Sequence, residues 1–339
     1  MSIQAFDTLY CRKRILMMNV AIMAGGYSSE RVISVKSAAQ VNKWLDPSKY
    51  RTFIIDVNHD KWFVSGSPEV KVNMNDFSIE WNGENVKFDF AYIIIHGSPG
   101  EDGLLQGYLD TVSVPHSTCD TLTGAITFNK YFCKAYLEKY GVKTAKSVWL
   151  RKSDRYNTDE IVSKLGLPIF VKPNNGGSSF GTSKVKEAAD LAGALELAFK
   201  EDDQVILEEF VKGREITCGV FKSKKETILF PPTEIITTRE FFDYEAKYLP
   251  GVTKEITPAE IGDELTKKCH NICSDIYDWL NCKGIVRIDY IIKDNELYFL
   301  EINTVPGMSE FSIIPQQSAK YGLEVRDLLN KVIEDSLSR

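Results

Sequence analysis

At 339 residues, 43% hydrophobic and 26% charged, the chain has the composition of a globular protein with ample core and room for two or three domains. A net charge of −6 argues against a general nucleic-acid binder, and no run approaches the roughly 20 apolar residues of a membrane helix. Seven cysteines, an odd number without CxxC spacing, read as reduced, buried thiols of a cytosolic protein.

Residues 1–18 are irregular and mildly basic, and read as a disordered or non-native leader. The apolar stretch Ile15 to Ala24 is interrupted by Asn19 and runs into Gly25-Gly26 without a cleavage pattern, so it reads as a buried first strand rather than a signal peptide. Met17 and Met18 remain alternative starts. After Val20 to Ala24, the turn Gly25-Gly26-Tyr27-Ser28-Ser29-Glu30 leads into a helix to about Leu45, with Ser28 or Ser29 as cap and Glu30 in the first turn. Strand, Gly-rich turn and helix open a doubly wound α/β domain, but the turn is not GxGxxG, so no dinucleotide fingerprint is present.

Tyr50 to Val57 is the next strand, and Trp62 to Val86 a hairpin region. Ala91 to Ile95 is a continuous apolar run, as in a central parallel strand. It ends in His96-Gly97-Ser98-Pro99-Gly100-Glu101-Asp102-Gly103, after which Leu104 to Leu109 is helical. Ligands in open α/β sheets bind at the carboxyl ends of strands, so His96 and Glu30 face one crevice. Val114-Pro115 reads as a final short strand.

Thr127 to Tyr140 is predicted helical and carries Lys130 and Lys134, four residues apart, for which a solvated basic face is the plain alternative. Val148 to Leu150 is a strand and Thr158 to Leu165 a helix. A buried strand from Pro168 then delivers Lys172 to the loop Pro173-Asn174-Asn175-Gly176-Gly177-Ser178-Ser179-Phe180-Gly181. Such a loop can close over phosphates, with Lys172 offsetting their charge. It is not a P-loop, because the lysine precedes the glycines. Val205 to Val211, with Glu208 and Glu209, reads as an edge strand suited to a base and its ribose, and Glu215 to Phe221 follows as another strand. Phe230 to Gly251 is long, irregular and aromatic, which suits a lid. Pro258 to Leu280 is an amphipathic helix in which Cys269 and Cys273 share a face that His270 does not, so no metal cluster is expected there. Val325 to Ser336 closes the chain.

Gly284 to Gly307 carries the densest chemistry. Two strands, Ile285 to Ile292 and Glu296 to Ile302, place Arg287 and Asp289 on one face, and Glu301 and Asn303 on one face. A three-residue loop puts all four on the same face, and a two-residue loop puts the acids on opposite faces. Two carboxylates and an amide suit Mg²⁺ rather than zinc, and a solvated face with an Arg–Glu pair is the alternative.

Together these pieces resemble the D-alanine–D-alanine ligases of the ATP-grasp superfamily. The likeness covers Asn19 to about Val332 through GGYSSE, IHGSPGEDGLLQG, FVKPNNGGSSFGTSKV, EEFVKGREI, FFDYEAKY and RIDY…EINTVPGMSEFS, in family order. The resemblance implies an α/β chain with an α+β C-terminal part. It divides into an N-terminal doubly wound (pre-ATP-grasp) domain over 19–118, a central ATP-grasp domain over 119–210, and a C-terminal one over 211–339 holding lid and metal site. Asp289, Glu301 and Asn303 are similar to ligands of two Mg²⁺ (or Mn²⁺) ions. Lys130, Lys172 and Lys247 resemble the phosphate-contacting lysines, and Glu208, Phe210, Val211 and Glu215 the adenosine contacts of ATP. Glu30 resembles the receiver of the first D-alanine's ammonium, with His96 and Ser178 beside it and Tyr248 reaching over from the lid. Arg287 and the Gly307 N–H resemble the oxyanion donors, and Ser312 with Ile313 the second substrate's carboxylate site.

The resemblance further implies a cytoplasmic homodimer making D-Ala-D-Ala for peptidoglycan, with D-Ala-D-Lac or D-Ala-D-Ser synthesis as alternatives. The Lys247-Tyr248 pair favours an amine nucleophile. The sequence departs from the family pattern at Arg31, Asn129 and His116-Ser117-Thr118, where His, Asp and Tyr-Thr-Gly are usual.

Overall fold

The computed structural model describes residues 17–28, 30–177, 180–237 and 253–339. Residues 1–16 of the expected leader, Ser178, Lys247 and Tyr248 lie outside the described residues, and Met18, the leader's expected last residue, already belongs to the first strand. No helix among the described residues is long and apolar enough to cross a membrane.

The first sheet is built on β1 (Met18–Gly25), whose Val20 to Ala24 are fully buried, as an interior parallel strand requires. Helix α1 (Arg31–Trp44) returns the chain to β2 (Tyr50–Val57), which pairs parallel with β1. The hairpin region resolves into β3 (Trp62–Val64), β4 (Ser67–Asn73), β5 (Ser78–Trp81) and β6 (Glu84–Lys87), which extend the sheet antiparallel beyond β2. Strand β7 (Phe90–Ile93) then crosses to the other side of β1, again parallel, and α2 (Leu104–Thr111) follows. The chain thus reverses direction across the sheet between β1 and β7, and a crevice opens at their carboxyl ends. The predicted strand at Val114-Pro115 is reduced to an isolated bridge between Ala91 and His116.

The predicted helix from Thr127 is two helices, α3 (Thr121–Phe128) and α4 (Lys130–Glu138). Asn129 breaks them with extended backbone, and its side chain accepts from the Phe132 N–H at 3.0 Å. Asn caps as well as Asp does, so this departure from the family pattern leaves the helix start intact. A second sheet follows, comprising β8 (Ser147–Arg151), β9 (Ile169–Pro173), β10 (Ser183–Val185) and β11 (Gln204–Glu209), with α5 (Thr158–Leu165) and α6 (Leu191–Ala198) between them. Its order is β10-β9-β11-β8. Strand β11 is therefore interior rather than an edge, with β8 pairing along its far side. Free backbone for a base can come only from the segment beyond Glu209.

The third sheet is antiparallel, formed by β12 (Arg214–Lys222), β13 (Thr227–Leu229), β14 (Thr233–Thr237), β15 (Thr253–Ile256), β16 (Ile285–Lys293) and β17 (Glu296–Asn303). Helix α7 (Asp263–Trp279) begins five residues later than the amphipathic pattern predicts, because Gly262 at φ 79° turns the chain at its entry. The chain ends in α8 (Ile313–Tyr321) and α9 (Val325–Leu337). Cys133 and Leu137 of α4 pack into the third sheet's core, and Leu328, Leu329, Val332 and Ile333 of α9 pack into the first sheet's core.

Candidate active site

The β16–β17 hairpin turns through two residues, Asp294 and Asn295, at φ 52° and 59°. Two consecutive left-handed residues are the type I′ solution that matches strand twist, and Asp-Asn suits it. A regular ladder from that turn would set Asp289 opposite Leu300 and send Glu301 to the other face. The observed register instead shifts between Asp289 and Tyr290. Tyr290 pairs with Phe299, Asp289 with Glu301, and Arg287 with Asn303. Leu300 is the extra residue of a β-bulge. The expected three-residue loop is thus corrected to two residues plus a bulge, and the four polar residues still share a face.

On that face Asp289 is nearly surrounded. Arg287 donates to both of its oxygens, at 3.0 and 2.9 Å, Asn303 Nδ2 donates at 3.1 Å, and the buried Thr217 hydroxyl also donates. Burial works against the Arg287 charge, but Asp289, Glu301 and Glu101 outweigh it and hold the guanidinium firmly protonated. Lys130 Nζ lies 3.6 Å from Glu301 and donates to the Gly176 carbonyl. An all-oxygen donor set of Asp289, Glu301 and Asn303 on rigid strands, with cations already drawn to it, fits Mg²⁺ or Mn²⁺.

A cleft of about 430 Å³ runs from this face between the second and third sheets, within the range of small-molecule sites. Lys130, Lys172, Glu208, Phe210, Val211 and Glu215 line it together with Arg287, Asp289 and Glu301. Glu208, 3% exposed, lies between two ammonium groups: Lys172 at 2.6 Å and Lys134 in close contact. Lys134 is not on a solvated face; it is 2% exposed. Burial first, and then the neighbouring Lys172, pull its pKa well below the usual lysine value. Phe210 packs at a tilt against Phe170, ring centroids 5.8 Å apart, with Lys184 Nζ 4.0 Å above its ring, an apolar wall with a cationic rim.

The crevice of the first sheet meets this face from the opposite side. Glu30, 8% exposed, occupies the N-cap position of α1 rather than its first turn, and makes no capping bond. Ser28 is not the N-cap residue: its hydroxyl accepts from the Glu30 N–H at 3.3 Å and donates to the His96 carbonyl at 2.8 Å, which ties the two Gly-rich turns together. Arg31 Nη2 donates to both Asp56 oxygens, at 2.6 and 2.7 Å, and Nη1 to the Val57 carbonyl at 3.0 Å, which gives the usual histidine position a structural partner. Gly177 approaches Glu30 so closely that a Cβ there would stand 2.7 Å from its carboxylate. His96 is buried, its Nε2 has no hydrogen-bond partner, and its ring donates to the Val305 carbonyl. Burial lowers its pKa against the pull of Glu30, so the ring is held neutral.

Glu101 belongs to the quoted HGSPGEDG run, but sequence reasoning gave it no role. It accepts from the Gly97 N–H at 2.7 Å and from the Val305 N–H. Burial, and then the Glu30 charge, raise its pKa to about 8. His96 and Glu101 therefore hold the carbonyl and the amide of one residue, Val305, and lock the first-sheet crevice to the turn after β17. On that turn the Ser312 hydroxyl accepts from Ser309 N at 3.0 Å, and a Cβ on Gly307 would sit 2.9 Å from it. Ser312 is the N-cap residue of α8, with Ile313 buried behind it.

Residues 19–119 match the family model described as D-ala D-ala ligase N-terminus, and residues 136–334 the model described as D-ala D-ala ligase C-terminus. A D-alanine–D-alanine ligase of Azobacteroides pseudotrichonymphae is 50% identical over 322 residues, spanning 94% of this chain and 99% of its own. The crystal structure of the VanG D-Ala:D-Ser ligase from Enterococcus faecalis superposes with a TM-score of 0.83 at 31% identity, covering 94% of this chain and 99% of that one. That of the Bacillus anthracis D-alanine–D-alanine ligase complexed with ATP gives 0.76 at 30% identity, covering 95% and 97%.

Proposed function

The chain belongs to the D-alanine–D-alanine ligase family, and from that premise we propose that it joins two D-alanines, with ATP converted to ADP and phosphate. The observation that carries this reading is the convergence of Arg287, Asp289, Glu301 and Asn303 on one strand face at the end of the lysine-lined cleft. ATP lies in that cleft, its base against Phe210 and Val211 with Glu208 and Glu215 near the adenosine, and its phosphates towards Lys130 and Lys172. Asp289, Glu301 and Asn303 are the residues that would hold two Mg²⁺ or Mn²⁺ ions, which supply Lewis-acid neutralisation of phosphate charge when bound.

Glu30 takes the first D-alanine's ammonium and so aims its carboxylate at the γ-phosphorus. The carboxylate oxygen attacks, ADP leaves, and a D-alanyl phosphate forms. The second D-alanine is held through its carboxylate by the Ser312 hydroxyl and the amino end of α8 beside Ile313, where the helix dipole favours an anion. Its neutral amine attacks the acyl carbon. The developing oxyanion is met by Arg287 and the Gly307 N–H, each donor contributing on the order of 10²–10³ in rate, and phosphate departs. His96 stays neutral beside the reacting carboxyl. Ser178, Lys247 and Tyr248, outside the described residues, take the loop and lid roles that the family resemblance gives them. Water excluded by that closure cannot hydrolyse the acyl phosphate.

The units 19–118, 119–210 and 211–339 each hold one of the three sheets, and we take them as the domains. A cytoplasmic location suits six described cysteines that are all buried and unbridged, and a homodimer is the expected assembly, to be checked by light scattering. The test of function is product identification by mass spectrometry after incubation with ATP, Mg²⁺ and D-Ala, D-Ser and D-Lac together. D-Ala-D-Ala is expected to dominate across neutral and alkaline pH; D-Ala-D-Lac or D-Ala-D-Ser as the main product would overturn the choice of second substrate.

A further inference from the structure

Behind the strand that carries Thr217, three cysteine sulfurs meet. The Sγ atoms of Cys218 on β12 and of Cys269 and Cys273 on α7 all lie within 4.8 Å of one another. All three residues are fully buried. The helical pair alone is visible in the sequence, one turn apart; the third sulfur arrives only through the packing of α7 on β12. The sulfurs of Cys269 and Cys273 are 3.9 Å apart. An ion about 2.3 Å from each of three sulfurs requires sulfur–sulfur separations of about 4 Å. The side chains therefore stand close to a trigonal ligand set already, and small adjustments of the side chains and of the Cys218 backbone complete it.

Their other partners are weak. Cys218 is 3.4 Å from the Phe230 carbonyl, and Cys273 is 3.4 Å from the Tyr290 hydroxyl. The nearby His270 ring is bonded to the same Phe230 carbonyl at 3.0 Å, which leaves the set as three sulfurs. We propose that Cys218, Cys269 and Cys273 form a three-thiolate site for one thiophilic divalent cation of the zinc group, distinct from the oxygen-donor site on the opposite face of β12 and β16.

Softness separates the two sites: thiolates select zinc-group ions, and carboxylates and amides select Mg²⁺. Charge selects a divalent over a monovalent ion, because three thiolates and a dication leave a single negative charge to be buried, against two with a monocation. On binding, three thiol protons pass to solvent and the ion sheds its waters. The Tyr290 hydroxyl then turns from acceptor to donor towards the Cys273 thiolate. The site is coupled to the oxygen-donor face through one peptide: Cys218 follows Thr217, whose hydroxyl donates to Asp289. An ion that draws Cys218 towards the two helix sulfurs pulls on this peptide, and the expected result is a weaker Thr217–Asp289 contact and lower turnover.

The probe is Cd²⁺, titrated into the full chain with excess Mg²⁺ and followed by the ultraviolet thiolate-to-metal charge-transfer band. A band saturating at one Cd²⁺ per chain is expected, lost in Cys269→Ala and Cys273→Ala and retained in Cys119→Ala. No band overturns the site; a band that survives both helix substitutions and disappears with Cys119→Ala also overturns it, and places the ion at Cys119 and its side-chain partner Cys282. Cadmium NMR of the unmodified protein counts sulfur ligands without any substitution, so a misfolded variant does not stall the test; fewer than three sulfurs overturns the assignment. Cd²⁺ is further expected to inhibit the unmodified protein more than Cys273→Ala, and equal inhibition overturns the coupling. That last arm rests on the ligase reading, whereas the band and the NMR count do not, so the two can fail separately.

Discussion

Asp289 lies directly opposite Glu301 in a hairpin whose two-residue turn would otherwise pair it with Leu300. The bulge at Leu300 converts an antiparallel ladder of the wrong parity into one that gathers both carboxylates on the cleft side. Deleting Leu300 removes the extra residue while keeping Asp289 opposite Glu301 and Phe299 in the core. The deletion variant is expected to fold and to retain turnover within about tenfold, whereas Glu301→Gln loses on the order of 10²–10³ as an electrostatic contact of the transition state is removed. Phosphate-release assays decide the matter. A folded deletion variant with no activity would mean that the local twist, not the pairing alone, places the carboxylates.

Arg287 is fixed by a two-pronged contact with Asp289 and by burial. Arg287→Lys keeps the charge but loses the fork. The expected result is a fall in kcat on the order of 10²–10³, with the KM for ATP little changed, measured by steady-state kinetics.

Glu208 balances Lys134 and Lys172 in a nearly water-free setting. Glu208→Gln leaves two buried ammonium groups facing each other and is expected to cost about 3–5 kcal/mol of stability. Adding Lys134→Met to that variant should recover much of the loss, because only one buried ammonium then remains and the repulsion between the two is gone. Denaturant unfolding of the two single variants and the double variant closes the cycle; additive losses would show that the three groups do not act as a unit.

Glu101 carries the clearest pH signature. Its folded pKa, raised to about 8 by burial and by Glu30, exceeds the ordinary value of 4.5. The unfolded chain therefore releases this proton first, and this group lowers stability progressively as pH rises from about 4.5 to 8. Glu101→Gln keeps an acceptor for the Gly97 N–H but has no proton to lose. The variant should match the unmodified protein in thermal unfolding near pH 5 and exceed it above pH 8; identical profiles would remove Glu101 as the source of the slope.

Local chemistry made much of this molecule legible. Strand β2 and helix α5 lie where composition and periodicity place them, because Tyr50–Val57 and Thr158–Leu165 satisfy strand and helix preferences without outside help. The candidate site residues are proposed from motifs that are each contiguous, and a strand of known parity fixes which of its own side chains share a face. Asn129 is ambiguous in sequence, since the same residue can continue an apolar helical pattern or cap a new helix, and here it caps.

The sequence by itself determined the strand–turn–helix opening and the alternation within each arm of the hairpin, both properties of near neighbours in the chain. Tertiary structure alone decided how those arms meet through the Leu300 bulge. It also decided that Lys134 is buried against Glu208, that Val305 is clasped by His96 and Glu101, and that Cys218 joins two helical cysteines. Each of these depends on register or burial between segments far apart in sequence, and no local periodicity encodes the distance between them.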